Sequence, residues 1–143
     1  MSETKRRVIS LRGPGQVNED NKAAEAIKPG HLTNIDGSGN LIKNTTTSGD
    51  LSKSFALERD EFGSDIDVAY AVNDVVKIGA FAGGDRVLAL TPSGQNLAKG
   101  ARVEADNAGR VVVYSSGSVI GRTIEAVNNS AGPGDARVAL EII

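Results

Sequence analysis

Apolar and polar positions alternate with a period of two along much of this chain. In DIDVAYA (65–71), Ile66, Val68 and Tyr70 fall on one face. RVEA places Val103 and Ala105 together, and ARVALEI does the same for Val138, Leu140 and Ile142. Such alternation reads as half-buried strand. Strands are predicted over 31–35, 40–46, 66–72, 75–80, 85–90, 101–105, 110–115, 119–127 and 136–142. VVVY (111–114) is apolar on both faces, which suits a central strand or one buried in a subunit contact. No window supports a long amphipathic helix; QVNEDNKAAEAI (16–27) allows a short helical turn from Lys22 to Ile27, stopped by Pro29. The predicted fold is all-β: a small β-sandwich or partly open β-barrel of short antiparallel strands, with an extended N-terminal arm.

Turn chemistry punctuates the strands. In KPGHLTNIDGSGNLI (28–42), Gly30 precedes Asp36 by six residues and Gly39 follows it by three. AKGARVEADNAGRVV (98–112) repeats both offsets with Gly100, Asp106 and Gly109. An Asp side chain that caps turn N–H groups, followed by a glycine in the left-handed region, closes a hairpin. An EF-type calcium loop counted from Asp36 fails, because position 6 is Leu41 and position 12 is Thr47. A second echo relates GGDRVLAL (83–90) to PGDARVAL (133–140), where Gly134 and Asp135 lead into the strand. The order suggests an internal duplication, with an insertion in the first unit over about 47–65.

Length and composition narrow the picture. The chain of 143 residues suits one domain, or one domain plus an arm. Residues 1–22 read as the flexible arm and 23–143 as a single β domain. Within 1–15, Lys5, Arg6, Arg7 and Arg12 face one acid, Glu3, and Val8 and Ile9 lie in a segment, RVIS, that alternates enough to add as a strand to a neighbour. The formal net charge of −2 and the scattered bases outside the arm do not favour nucleic acid. Cysteine is absent, so there is no thiolate nucleophile, thiolate metal site or disulfide. No signal-like or membrane-length apolar run is seen.

Candidate chemistry is sparse. His31, the one histidine, begins a predicted strand and reads as a half-exposed strand residue. Asp65 and Asp67, with Glu58, Asp60 and Glu61, form an acidic cluster that could hold a metal or a raised pKa, but reads better as a solvated or salt-bridged surface. No GxSxG elbow or phosphate loop occurs. These absences favour a binding or structural role: no catalytic residue, no cofactor and no metal site are expected.

From AAEAIKPGHLTNIDGSGNLIK through LAKGARVEADNAGRVVV to VIGRTIEAVNNSAGPGDARVALEII, the chain resembles the capsid decoration, or cement, proteins of tailed bacteriophages. The closing hairpin carries Val119, Ile120, Gly121, Arg122, Thr123, Ile124, Glu125 and Ala126, then Gly134, Val138 and Leu140. The resemblance covers 23–143 and rests on turn and strand grammar. It implies a non-enzymatic homotrimer, made in the host cytoplasm and placed on the outer surface of the virion. There it would clamp subunits of the major capsid protein, the N-terminal arm reaching to the shell, with no cofactor, small-molecule substrate, nucleic acid or membrane partner. The 47–65 insertion departs from the compact members. The competing readings are a carbohydrate- or surface-binding β module, against which the lack of tryptophan counts, and a small metal-dependent enzyme built on Asp65 and Asp67.

Overall fold

The structure, a computed structural model, describes residues 8–13, 16–49, 51–59 and 66–143. It is an all-β fold with several antiparallel sheets. In chain order the strands are β1 (Ser10–Arg12), β2 (Gln16–Lys22), β3 (Leu32–Ile35), β4 (Leu41–Lys43), β5 (Ser54–Ala56), β6 (Val75–Ala80), β7 (Arg86–Thr91), β8 (Gln95–Leu97), β9 (Arg102–Ala105), β10 (Val111–Val113), β11 (Val119–Thr123), β12 (Val127–Asn129) and β13 (Ala136–Ile142). A six-stranded sheet runs β1-β7-β13-β11-β9-β10, a five-stranded sheet β2-β6-β5-β3-β4, and β12 pairs with β8.

The longest uninterrupted register joins β7 and β13, from Ala136 opposite Thr91 to Glu141 opposite Arg86. These strands carry the two echoed segments, so the sequence echo marks neighbours in one sheet. Val87 to Thr91 are all buried, as a strand at the centre of a core requires. The larger core joins residues of both main sheets: Leu32, Phe55 and Phe81 meet Val87, Leu88, Val103, Ile120, Val138 and Leu140. Phe55 and Phe81 meet edge to face, with centroids 5.6 Å apart. A smaller core gathers Ala23, Ile27, Leu41, Ala56, Tyr70 and Val76 inside the five-stranded sheet.

Strand pairing among the described residues closes neither main sheet. A single parallel bridge from Ala23 to Leu41, with the Ala24 N–H donated to the Leu41 carbonyl at 2.8 Å, brings the end of β2 against the opposite edge strand, β4.

Several expectations are corrected. Lys22 to Ile27 is no helical turn: Lys22 ends β2, and Ala23 and Ile27 make single bridges to Leu41 and Tyr70. Both are buried, Ala23 against Leu41 of β4 and Ile27 against Tyr70, and tertiary pairing overrides local propensity. The predicted strand 66–72 is turn and bend, with Tyr70 alone bridged to Ile27; Ile66 and Tyr70 are buried while Val68 is exposed. The predicted strand 119–127 breaks after Thr123 and resumes as β12.

The expected arm and insertion are also built into the body where they are described. β1 pairs with β7 and β2 with β6, and β5 lies between β6 and β3 with Phe55 fully buried. The apolar run Phe55, Ala56, Leu57 was the signal for β5, and all three are buried. β2 had none: QVNEDNK is an exposed edge strand, whose side chains need no apolar period.

Candidate functional site

The two repeated hairpins have the same hydrogen-bond geometry. Asp36 Oδ1 accepts the N–H groups of Ser38 and Asn40, each at 2.9 Å. Asp106 Oδ1 accepts those of Ala108 at 2.8 Å and Arg110 at 2.9 Å. Gly39 and Gly109 sit at φ 83° and 73°, as their shared offset predicts. Gly30 and Gly100 also take positive φ, at 98° and 80°, just before each hairpin.

Their surroundings differ. Gly39 is exposed, and a Cβ there meets nothing within 4 Å. Gly109 is buried and docked into the first hairpin: it accepts the Leu32 N–H at 2.7 Å and donates to the Asn44 carbonyl at 2.9 Å. A Cβ on Gly109 would lie 2.7 Å from the Leu32 carbonyl oxygen. Gly39→Ala is therefore expected to cost ~1 kcal/mol, from backbone conformation alone. Gly109→Ala is expected to cost about 2 kcal/mol or more, because a close contact is added. Urea unfolding of both variants checks the order; equal losses would refute it.

Where the second hairpin docks, charged residues converge. The Arg110 Nε donates to Asp106 Oδ2 at 2.8 Å and its Nη1 to Asp135 Oδ1 at 3.1 Å. Burial acts to lower the Arg110 pKa, but Asp106 and Asp135 together outweigh it and leave the pKa raised. Arg137, on β13, reaches two turns distant in sequence, donating to the Pro29 carbonyl and, at 2.6 Å, to the Ile66 carbonyl. Asp67 lies 3.3 Å from Arg137 and 3.8 Å from Lys28, so it is salt-bridged, as the surface reading expected.

His31 lies in this junction and is buried at 8% exposure, not half exposed. Its Nδ1 accepts the Lys28 N–H at 2.9 Å. Burial is the main cause of its pKa falling from 6.5 to about 4; Lys43, Arg137 and Arg110 add to the fall, and Asp135 opposes it. A neutral, hydrogen-bonded imidazole among cations is a packing element. Sequence reasoning missed this setting because the charges that act on the ring come from 43, 110, 135 and 137.

Glu104 was not singled out in the sequence, yet it organises a loop. This buried carboxylate accepts the N–H groups of Ser115 and Gly117, each at 2.6 Å, and of Ser116 at 3.3 Å. In sequence it reads as one acid on a strand; the loop that it caps lies beyond the next strand.

The remaining expected residues are dispersed. Lys5, Arg6 and Arg7 lie outside the described residues, as do Asp60, Glu61 and Asp65. Val8 is exposed, but Ile9 is fully buried, and its N–H donates to Glu58 Oε2 at 2.9 Å. Arg12 bonds at home, its Nη2 2.7 Å from Glu141 Oε1. The Gly134 carbonyl accepts Asn129 Nδ2 at 2.8 Å. Val111 is buried and Val113 exposed on β10, an edge strand of the six-stranded sheet, not a central one. Among the described residues, no three His, Cys, Asp or Glu side chains are grouped to hold a metal ion, and no helix is long and apolar enough to cross a membrane.

A scan of protein-family models and a search of curated proteins return no match to the chain.

Proposed function

We propose that this protein is a structural capsid decoration protein, which binds the outer surface of a phage head as a homotrimer and stabilises the shell by bridging subunits of the major capsid protein. The observation that carries this reading is the paired Asp-turn-Gly hairpin, the motif on which the resemblance rests, present twice with matching hydrogen bonds around Asp36 and Asp106. The five-stranded sheet is then a partly open barrel, drawn together at the Ala23–Leu41 bridge around its small core. Catalysis has no part in the proposal.

The shell contact is assigned to Lys5, Arg6 and Arg7, with Val8 beside them; Ile9 and Arg12 anchor the segment to the body. Basic side chains suit an acidic surface groove, and many copies on one shell multiply a modest contact energy. The test is incubation with expanded, undecorated capsids, followed by imaging and a count of bound copies. Three-fold clusters of density are expected. Substituting Lys5, Arg6 and Arg7 together by glutamate should lower the bound copies several-fold at low salt, and less at high salt, where wild-type contacts are screened. Bare particles, or isolated single copies on the lattice, would overturn the reading.

A further inference from the structure

β1 is three residues long at a sheet edge, yet its seat is elaborate. Ile9, just before it, is at 0% exposure inside the larger core. The Ile9 carbonyl accepts the Leu88 N–H at 2.8 Å, and its own N–H is held by the buried Glu58. Three residues on, Arg12 Nε donates to the Gly84 carbonyl at 2.9 Å and Nη2 to Glu141. Strand pairing itself covers only Ser10 opposite Val87 and Arg12 opposite Arg86, with an irregularity between them. The edge of β7 is thus a groove for an extended segment, read chiefly through an apolar side chain and an arginine three positions later. Every group that lines it comes from far along the chain.

We propose that this groove is also filled between molecules: β1 of one copy seats on β7 of a second copy. The groove is complementary to this very segment. The link from β1 to β2 is only Gly13, Pro14 and Gly15. Gly13 has φ 87°, and a Cβ there would lie 2.5 Å from the Asp85 Cγ. A link of three residues is a short hinge, which favours the open arrangement, in which the chain runs on to a neighbour. β2 keeps its own pairing to β6, so β1 can leave without opening the five-stranded sheet. The contacts at the groove are the same in both arrangements, so the link and the protein concentration set the balance. This inference concerns the free protein and does not depend on the capsid reading.

The absence of cysteine makes the test clean. Directly opposed residues on antiparallel strands have Cα atoms about 4.5–5.5 Å apart, within disulfide reach. Full-length Ser10→Cys carrying a size tag is mixed with untagged Val87→Cys under oxidation. A disulfide between the two forms requires β1 of one on β7 of the other. The mixed product is expected several-fold above the level given by tagged Ser10→Cys and an Arg122→Cys control, and to fall on dilution. The double variant Ser10→Cys, Val87→Cys should give covalent oligomers when concentrated and internally closed monomers when dilute. If Val87→Cys misfolds by circular dichroism, light scattering of the wild type across the same concentrations replaces it: concentration-dependent self-association is expected, and a monomer at every concentration overturns the proposal. Internal closure at every concentration, with mixed product no higher than the control, overturns the proposal.

Discussion

Replacing Glu104 by alanine is expected to lower the unfolding free energy by about 4 kcal/mol, since each hydrogen bond to a charged group is worth roughly 1.5–3 kcal/mol and the donors left behind lose their partner. Three successive N–H groups, from Ser115 to Gly117, converge on this carboxylate. No small side chain replaces it, because the donors come from one tight loop facing one strand position. That loop is also held by Ser118, whose N–H reaches the Thr47 carbonyl at 3.1 Å. The space for a Cβ on Gly117 is taken by Glu104 and by Thr47. Glu104→Gln keeps an accepting oxygen but turns an amide N–H toward backbone donors, so about half the loss is expected. Urea denaturation of wild type and both variants, with hydrogen exchange at 115–118, measures this. A loss below ~1 kcal/mol for Glu104→Ala would mean that water serves the loop as well as the carboxylate does.

Acid is expected to remove about 3 kcal/mol of stability through His31 alone, at roughly 1.4 kcal/mol per pKa unit. Its pKa is 6.5 in the ordinary state and about 4 in the folded protein, chiefly through burial. The unfolded chain therefore takes up this proton first. The His31 contribution is complete above pH 6.5, declines as pH falls from 6.5 toward 4, and is lost below 4. Protonation of Nδ1 removes the acceptor for the Lys28 N–H and places a cation beside Lys43, Arg110 and Arg137, with Asp135 as partial compensation. His31→Asn, which keeps an accepting atom near the Nδ1 position, should be less stable at pH 7 and flatter between pH 7 and 5. As the chain has one histidine, its ring protons give a single NMR titration. A midpoint near 6.5 in the folded protein would refute the prediction.

What was legible in the sequence was local. The Asp36 and Asp106 turns, their glycines at positive φ, and strands such as 75–80 and 136–142 follow from contacts within a few residues, where an alternating pattern or a capping side chain acts directly. Tertiary structure decided the rest. β2 is polar apart from the exposed Val17, so its pairing to β6 left no apolar period. Ala23 and Ile27 mimic a helical stripe, yet their partners Leu41 and Tyr70 are far along the chain. The two hairpins carry one signature, but only Gly109 is wedged between Leu32 and Asn44, and only the packing of one hairpin on the other selects it. Glu104, His31 and Ile9 owe their roles to groups 11 to 49 or more residues distant, such as the Ser115 N–H and Glu58. Turn chemistry is short-range and repeats wherever its residues repeat; burial and carboxylate capping depend on which segments the fold brings together.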